Sequence, residues 1–235
     1  MTTTARFGLP LLQAAQAQKH VTVNEALALI DGACQMVLGR CDQVAPPLVP
    51  AEGDAYGVGT GATDGWAGQD GKIALFVNGG WVFLIPGAGW RAWDLTLGTM
   101  AVHDGAAWVP GGVAVSPNGA ATVAEVIEAD VTLAAGPEVI TPALIPTGSV
   151  VEAVTARVIQ PVSGVPSWRL GVAGGPDRYG TGYGVGGGSW ARGVTGQPQA
   201  YYGDTALVIG AEGGTFTGGQ IRIAVHLTRF TLPRM

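Results

Sequence analysis

Between residues 53 and 112, short runs of β-branched and aromatic residues alternate with joints that force the chain to turn. The runs are 54–58, 73–77, 81–85 and 100–103; the joints are Asp70-Gly71, Asn78-Gly79-Gly80 and Asp104-Gly105. Asn, Asp and Gly accept the positive φ that a two-residue hairpin demands, and runs of four or five residues are too short to be helices. The pattern predicts a small antiparallel β module. Phe76-Val-Asn-Gly-Gly-Trp81-Val and Val102-His-Asp-Gly-Ala-Ala-Trp108-Val each place a strand, an Asx-Gly turn and a Trp-Val pair in series, a repeated hairpin style.

The last hundred residues read as β again, with 150–159 and 220–231 the clearest strands. In the second, Ile221, Ile223, Val225 and Leu227 fall on one face and Arg222, Ala224, His226 and Thr228 on the other, the alternation of a half-buried strand. Gly203-Asp204, Glu212-Gly-Gly and Thr217-Gly-Gly punctuate the final strands, and that spacing suggests a β-sandwich of jelly-roll type. Residues 174–196 are so rich in glycine that a long surface excursion is expected there.

The remaining segments connect these parts. Residues 1–21 read as an arm, and Thr22-Val-Asn-Glu25 has the T-x-x-E spacing of a helix start, which predicts a short helix over about 22–31. Pro46, Pro47 and Pro50 make 44–52 an extended connector, and turn formers with few bulky residues make 110–125 read as a linker. The chain is thus expected to be mainly β: an N-terminal arm and helix over 1–43, a Trp-rich antiparallel module over 44–110, a linker over 111–128 and a C-terminal β-sandwich over 129–235.

Composition narrows the function. Charged residues form 12% of the 235, about half the usual share, yet no window approaches the roughly 20 uninterrupted apolar residues of a membrane span. Membrane insertion is therefore not expected. A net charge of −5 with no Lys/Arg cluster argues against nucleic-acid binding. The first residues lack the basic and apolar regions of a secretory signal, so synthesis in the cytoplasm without a signal peptide is expected.

Catalytic chemistry finds no signature. Cys34 and Cys41 complete no metal-ligand spacing and read as two buried thiols. His20, His103 and His226 sit in no recognisable motif and read as solvated or interface histidines. Asp54, Asp64, Asp70, Asp94 and Asp104 mostly occupy turn positions, where the carboxylate bonds locally. The glycine spacing at 180–188 lacks the strand-before, helix-after context of a dinucleotide loop. The expectation is a non-enzyme with no cofactor and no metal.

Aromatic residues stand out instead. Trp66, Trp81, Trp90, Trp93 and Trp108 crowd into one segment with Tyr56, and Trp168, Tyr179, Tyr183, Trp190, Tyr201 and Tyr202 surround the glycine-rich stretch. Flat rings with a polar edge suit the apolar faces of pyranose sugars; the competing reading of the first set is the core of a domain with little else large to bury. The candidate glycan-binding residues are Trp168, Tyr179, Tyr183, Trp190, Tyr201, Tyr202, Trp90 and Trp93.

Leu9-Pro-Leu-Leu, Gln16-Ala-Gln-Lys-His-Val-Thr-Val-Asn-Glu-Ala-Leu, Gly65-Trp-Ala-Gly-Gln-Asp-Gly71, Gly87-Ala-Gly-Trp90 and Asp104-Gly-Ala-Ala-Trp108 resemble the DUF2793 family. That family is found among structural genes of alphaproteobacterial prophages and gene transfer agents. Ala129-Asp-Val-Thr-Leu-Ala and Glu212-Gly-Gly-Thr-Phe-Thr-Gly-Gly look like its shorter members. The resemblance implies a spike or fibre on the surface of a virion-like particle, closest to the head spikes of a gene transfer agent, that adheres to host capsular polysaccharide. The expected partners are copies of itself, as a trimer or pentamer, and another particle protein held through the N-terminal arm. The rival readings are a glycan depolymerase and a ligand-free spacer in head or tail.

Overall fold

The computed structural model describes residues 3–5, 9, 11 and 19–235. The chain divides into two compact units, one of Met1–Ala121 with Leu232–Met235 and the other of Thr122–Thr231.

In the first unit, α1 (Lys19–Ala33) starts before the predicted position, so Thr22 lies inside the helix rather than at its cap. Leu29 and Ala33 of α1 pack on a core of Met36, Leu38, Ile73, Leu75, Ala92 and Ala101. The strands that follow are short: β1 (Val37–Leu38), β2 (Ala55–Gly57), β3 (Ile73–Val77), β4 (Gly80–Leu84), β5 (Arg91–Asp94), β6 (Thr99–His103), β7 (Trp108–Pro110) and β8 (Gly112–Val115). They include a three-stranded sheet, β2-β3-β4, and a four-stranded sheet, β1-β5-β6-β7, in which β1 runs parallel to β5. Residues 34–43 are therefore not arm: Met36, Leu38 and Cys41 are core. The rest of the arm falls mostly outside the described residues, as does the side chain of His20.

The turn chemistry works as its residues dictate. Val77 pairs with Gly80 across Asn78-Gly79, whose φ angles of 53° and 75° make a primed two-residue hairpin. Both turn amides donate to Glu52, at 2.9 and 2.6 Å. The two echoing hairpins are alike in three dimensions, each closing on a cross-strand ring pair: Phe76 with Trp81 at 5.0 Å and His103 with Trp108 at 5.1 Å.

The second unit holds β9 (Ala121–Thr132, whose first residue belongs to the other unit), β10 (Glu138–Ile145), β11 (Ser149–Ser163), β12 (Ser167–Val172), β13 (Trp190–Tyr201), β14 (Thr205–Glu212) and β15 (Gly218–Thr231). Successive strands alternate between two sheets, ordered β9-β15-β11-β13 and β10-β14-β12. The pairs β9/β15, β10/β14 and β11/β13 are nested one inside the next, which is the jelly-roll wrapping. The fourth nested pair is β12 with the glycine-rich segment, through the antiparallel bridge of Trp168 to Tyr183.

That bridge corrects the expected surface excursion. The segment after β12 folds back along it, with the Leu170 amide donating to Gly180 and the Tyr179 amide to Leu170, both at 2.9 Å. It returns along β11, where the Val162 amide donates to Val185. Glycine is needed because the backbone lies so close: a Cβ on Gly193 would stand 2.3 Å from the Tyr179 carbonyl oxygen.

The expected linker at 111–128 is also replaced, by β8 and most of β9. Its Ala and Thr residues alternate with Val as a strand does, Ala121 and Val123 being buried, and the Pro117-Asn118-Gly119 turn formers make only the bend, where the Ser116 amide donates to Ala120. Small side chains had the look of a tether because they lacked bulk, not because they lacked order.

One core fills the sandwich. Val151, Val154 and Val158 of β11, Trp168 and Leu170 of β12, Leu207 and Ile209 of β14, and Ile221, Ile223 and Val225 of β15 all lie within it. The alternation read from 221–228 holds throughout.

Candidate functional site

Inward-facing residues of β11, β13 and β15 being apolar, their alternates must face out. Arg157 lies opposite Trp190 on one neighbour and Arg222 on the other; one pair along, Thr155 lies opposite Arg192 and Ala224. With Glu128 of β9 and Ile159 of β11, these residues line a shallow concavity of about 390 Å³ on the outer face of the sheet.

Its floor is a hydrogen-bonded ladder, and its walls are held by specific contacts. Trp190 is 58% exposed, and the Arg192 guanidinium lies 5.4 Å from its ring centroid, within cation–π range. Arg157 donates to the Gly188 carbonyl at 3.0 Å. Arg222 forms a two-pronged bond with Asp130, at 2.6 and 2.8 Å, and lies 3.7 Å from Glu128. That pairing raises the Arg222 pKa, through its bond to Asp130 first, and lowers that of Asp130. Thr155 Oγ1 and His226 Nε2 share a hydrogen bond of 3.0 Å. The site thus offers an exposed indole, two guanidinium groups with no carboxylate partner among the described residues, and a fixed Arg–Asp pair.

The candidate aromatics separate into three groups. Trp168, Tyr179 and Tyr201 are buried and are corrected from contact surface to core. They seat the glycine-rich segment: Trp168 Nε1 donates to Gly184 at 3.0 Å, and the Tyr179 and Tyr201 hydroxyls bond at 2.6 Å. Tyr183 is half-buried against Trp168, 4.9 Å between centroids, and its hydroxyl donates to the Tyr179 carbonyl. Trp190 and Tyr202 are exposed, but only Trp190 stands in the concavity.

In the first unit the tryptophans form no continuous row. Trp66 is fully buried, edge-on to Trp81 at 5.0 Å and tilted against Tyr56 at 5.7 Å, so the core reading holds for these rings. Trp90 and Trp93 are 37% and 40% exposed, the first closing a turn through its amide to the Gly87 carbonyl and the second within β5.

The other groups weighed for chemistry are mostly engaged in structural contacts. Asp54 accepts the Ala51 amide, Asp70 those of Gly61 and Ala62, Asp94 those of Cys41 and Leu97, and Asp104 those of Ala106 and Ala107. Burial would raise the Asp104 carboxyl, but the Arg234 guanidinium at 2.6 Å and the two amides outweigh it and hold the pKa at about 2. Cys34 is exposed, contrary to expectation, while burial and then Asp94 push the Cys41 thiol pKa up. His103, expected to be solvated or at an interface, is buried against Trp108, and burial lowers its pKa. Among the described residues no group of three or more His, Cys, Asp or Glu is placed to hold a metal ion, and no helix is long and apolar enough to cross a membrane.

Residues 23–109 match the family described as "Protein of unknown function (DUF2793)". The match to that family is confined to this stretch. It runs from within α1 into β7 and contains the motifs Gly65–Gly71, Gly87–Trp90 and Asp104–Trp108, whereas the likenesses at 9–12, 16–22, 129–134 and 212–219 lie outside the DUF2793 match. A chain of the cyanophage Pam1 capsid asymmetric unit is similar over 45% of this chain and 84% of its own length, at 21% identity and a TM-score of 0.38. No curated protein matches.

Sequence reasoning found Trp190 but missed Arg157, Arg192, Thr155 and Glu128. Arg222 was on the outward face already, and Arg157 lies inside the strand expected over 150–159, which runs on to Ser163. Nothing in a single sequence tells that Trp190 and Arg222 flank Arg157, because register between distant strands is set by the wrapped fold.

Proposed function

We propose that this chain is a structural subunit of a phage-like particle, of the gene transfer agent head-spike kind, whose jelly-roll unit adheres to polysaccharide on the host surface. The observation that carries the adhesion reading is the exposed Trp190 ring in a shallow, strand-floored concavity lined also by Thr155, Arg157 and Arg192. A sugar ring can lie on the indole with no change in the scaffold, while the guanidinium and hydroxyl groups around it meet the sugar's oxygens. The particle role is supported by the DUF2793 segment and by the use of jelly-rolls in both capsid and lectin domains, which is an analogy of fold.

In this reading the chain is not an enzyme. The carboxylates Glu128 and Asp130 beside the site both face Arg222, an arrangement suited to holding a fixed charge pair rather than to giving and taking a proton. Self-assembly as a trimer or pentamer would multiply weak sites into avidity, and the N-terminal arm would dock on another particle protein.

The test is binding of the purified chain to capsular polysaccharide of a candidate host, with polymer length measured after long incubation. Binding that Trp190→Ala abolishes, with no shortening, is the expected result. Shortening of the polymer would make the chain a depolymerase, and a Trp190→Ala variant that binds normally would remove this site from the account.

A further inference from the structure

We infer that the polysaccharide recognised at the Trp190 concavity is acidic, with a sugar carboxylate received by Arg192 and Arg157. This rests on the adhesion reading and adds the chemical class of the ligand. The basis is the uneven use of the three arginines. Arg222 is bound by Asp130 and faces Glu128, whereas Arg192 and Arg157 have no carboxylate partner among the described residues. Arg192 lies 5.4 Å from the Trp190 ring centroid, within cation–π range. Arg157 uses one nitrogen on the Gly188 carbonyl and keeps the rest of its fork.

Two guanidinium groups beside one indole, Arg157 across the strand pair and Arg192 two residues along β13, match one sugar unit: the ring on the indole, the carboxylate in a planar fork. Guanidinium and carboxylate pair in two parallel bonds, a geometry that a neutral hydroxyl cannot supply. The chain as a whole carries a net charge of −5, so an acidic polymer is repelled by most of the surface and admitted only where unpaired cations stand. The same arrangement disfavours nucleic acid, which needs a longer basic track along its phosphates.

Charge also dictates how binding responds to salt. Exposed charges are screened over about 8 Å at physiological ionic strength, so affinity for an acidic glycan should fall as salt rises, while stacking of a neutral sugar on Trp190 should not.

The experiment measures binding of the full chain to a panel of uronate polymers (alginate, polygalacturonate, hyaluronate), to the same polymers after carboxyl reduction, to neutral dextran, and to single-stranded DNA. Wild type, Trp190→Ala, Arg192→Ala and Arg157→Gln are compared, each first checked for an unchanged melting temperature. Binding to at least one uronate polymer, weakened roughly tenfold or more by carboxyl reduction or by Arg192→Ala, is expected. No binding to any uronate polymer overturns the inference. If reduced and neutral polymers bind as well as the uronates and Trp190→Ala abolishes all of it, the adhesion reading survives and the acidic class fails. If Trp190→Ala leaves every affinity intact, both fail. Single-stranded DNA binding as tightly as the uronates replaces sugar recognition with general polyanion binding.

Discussion

The two units solve the same problem, burying enough surface with few charges and many glycines, by opposite means. In the jelly-roll unit, strands of up to 15 residues wrap around one continuous core. In the DUF2793-bearing unit, strands of two to five residues leave two smaller clusters among the described residues, one aliphatic around Leu38 and Leu75 and one aromatic around Trp66. The second design relies on polar joints where the first relies on apolar layers. Buried Asp94 ties the Cys41 amide to the β5–β6 turn, Asp104 organises its own turn and takes Arg234, and Glu52 closes the β3–β4 hairpin. The long-stranded unit leaves the outer face of one sheet free for a ligand, while the short-stranded one gathers Tyr56 and Trp81 around buried Trp66.

The largest expected effect breaks the jelly-roll core. Trp168→Ala removes a fully buried indole and leaves the Gly184 carbonyl without its donor, so a loss of about 3–5 kcal/mol is expected. Chemical denaturation checks it: the whole β9–β15 unit should unfold at lower denaturant as one transition, because one core serves every strand.

Gly193→Ala asks whether the glycine-rich segment is part of that same cooperative unit. The added carbon meets the Tyr179 backbone at 2.3 Å, and an overpacking cost of about 1–3 kcal/mol follows. Hydrogen exchange should show faster exchange at Tyr179 and Tyr183. Unchanged exchange there would return the segment to the status of a loose loop.

The joints of the other unit answer to pH. The folded Asp104 pKa is depressed to about 2 from 3.8, so its contribution is complete above pH 4 and is lost as pH falls through 2. It amounts to at most about 2 kcal/mol, since its partner Arg234 is partly solvated. Asp104→Asn should lower the melting temperature at pH 7 and reduce the difference between pH 7 and pH 2. An equal acid sensitivity in variant and wild type would transfer the effect to other carboxylates.

Smallest in stability is Trp190→Ala. The ring is mostly exposed, so a change within about 0.5 kcal/mol is expected, along with loss of polysaccharide binding.

Much of this architecture was readable in advance, and the reasons are local. Asn78-Gly79 admits few conformations, and the alternation from Ile221 to Thr228 can be satisfied by one strand with one face in. What could not be read depended on distant pairing. Tyr179 and Tyr201 looked like surface aromatics beside glycines, but the glycines are there to let the backbone close over them. Residues 111–128 looked empty because Ala, Val and Thr pack without bulk. At the site, the exposed indole was named, while the arginines around it became neighbours only through the register of β11 with β13 and β15.

The central claim is that ligand meets the outer face of the jelly-roll at Trp190, and hydrogen exchange of the full chain with and without bound polysaccharide tests it most directly. The account predicts slower exchange confined to β11, β13 and the Gly186–Ser189 turn, with the DUF2793 segment unaffected. Protection centred on Trp90 or Trp93 instead, with β13 unchanged, would contradict it.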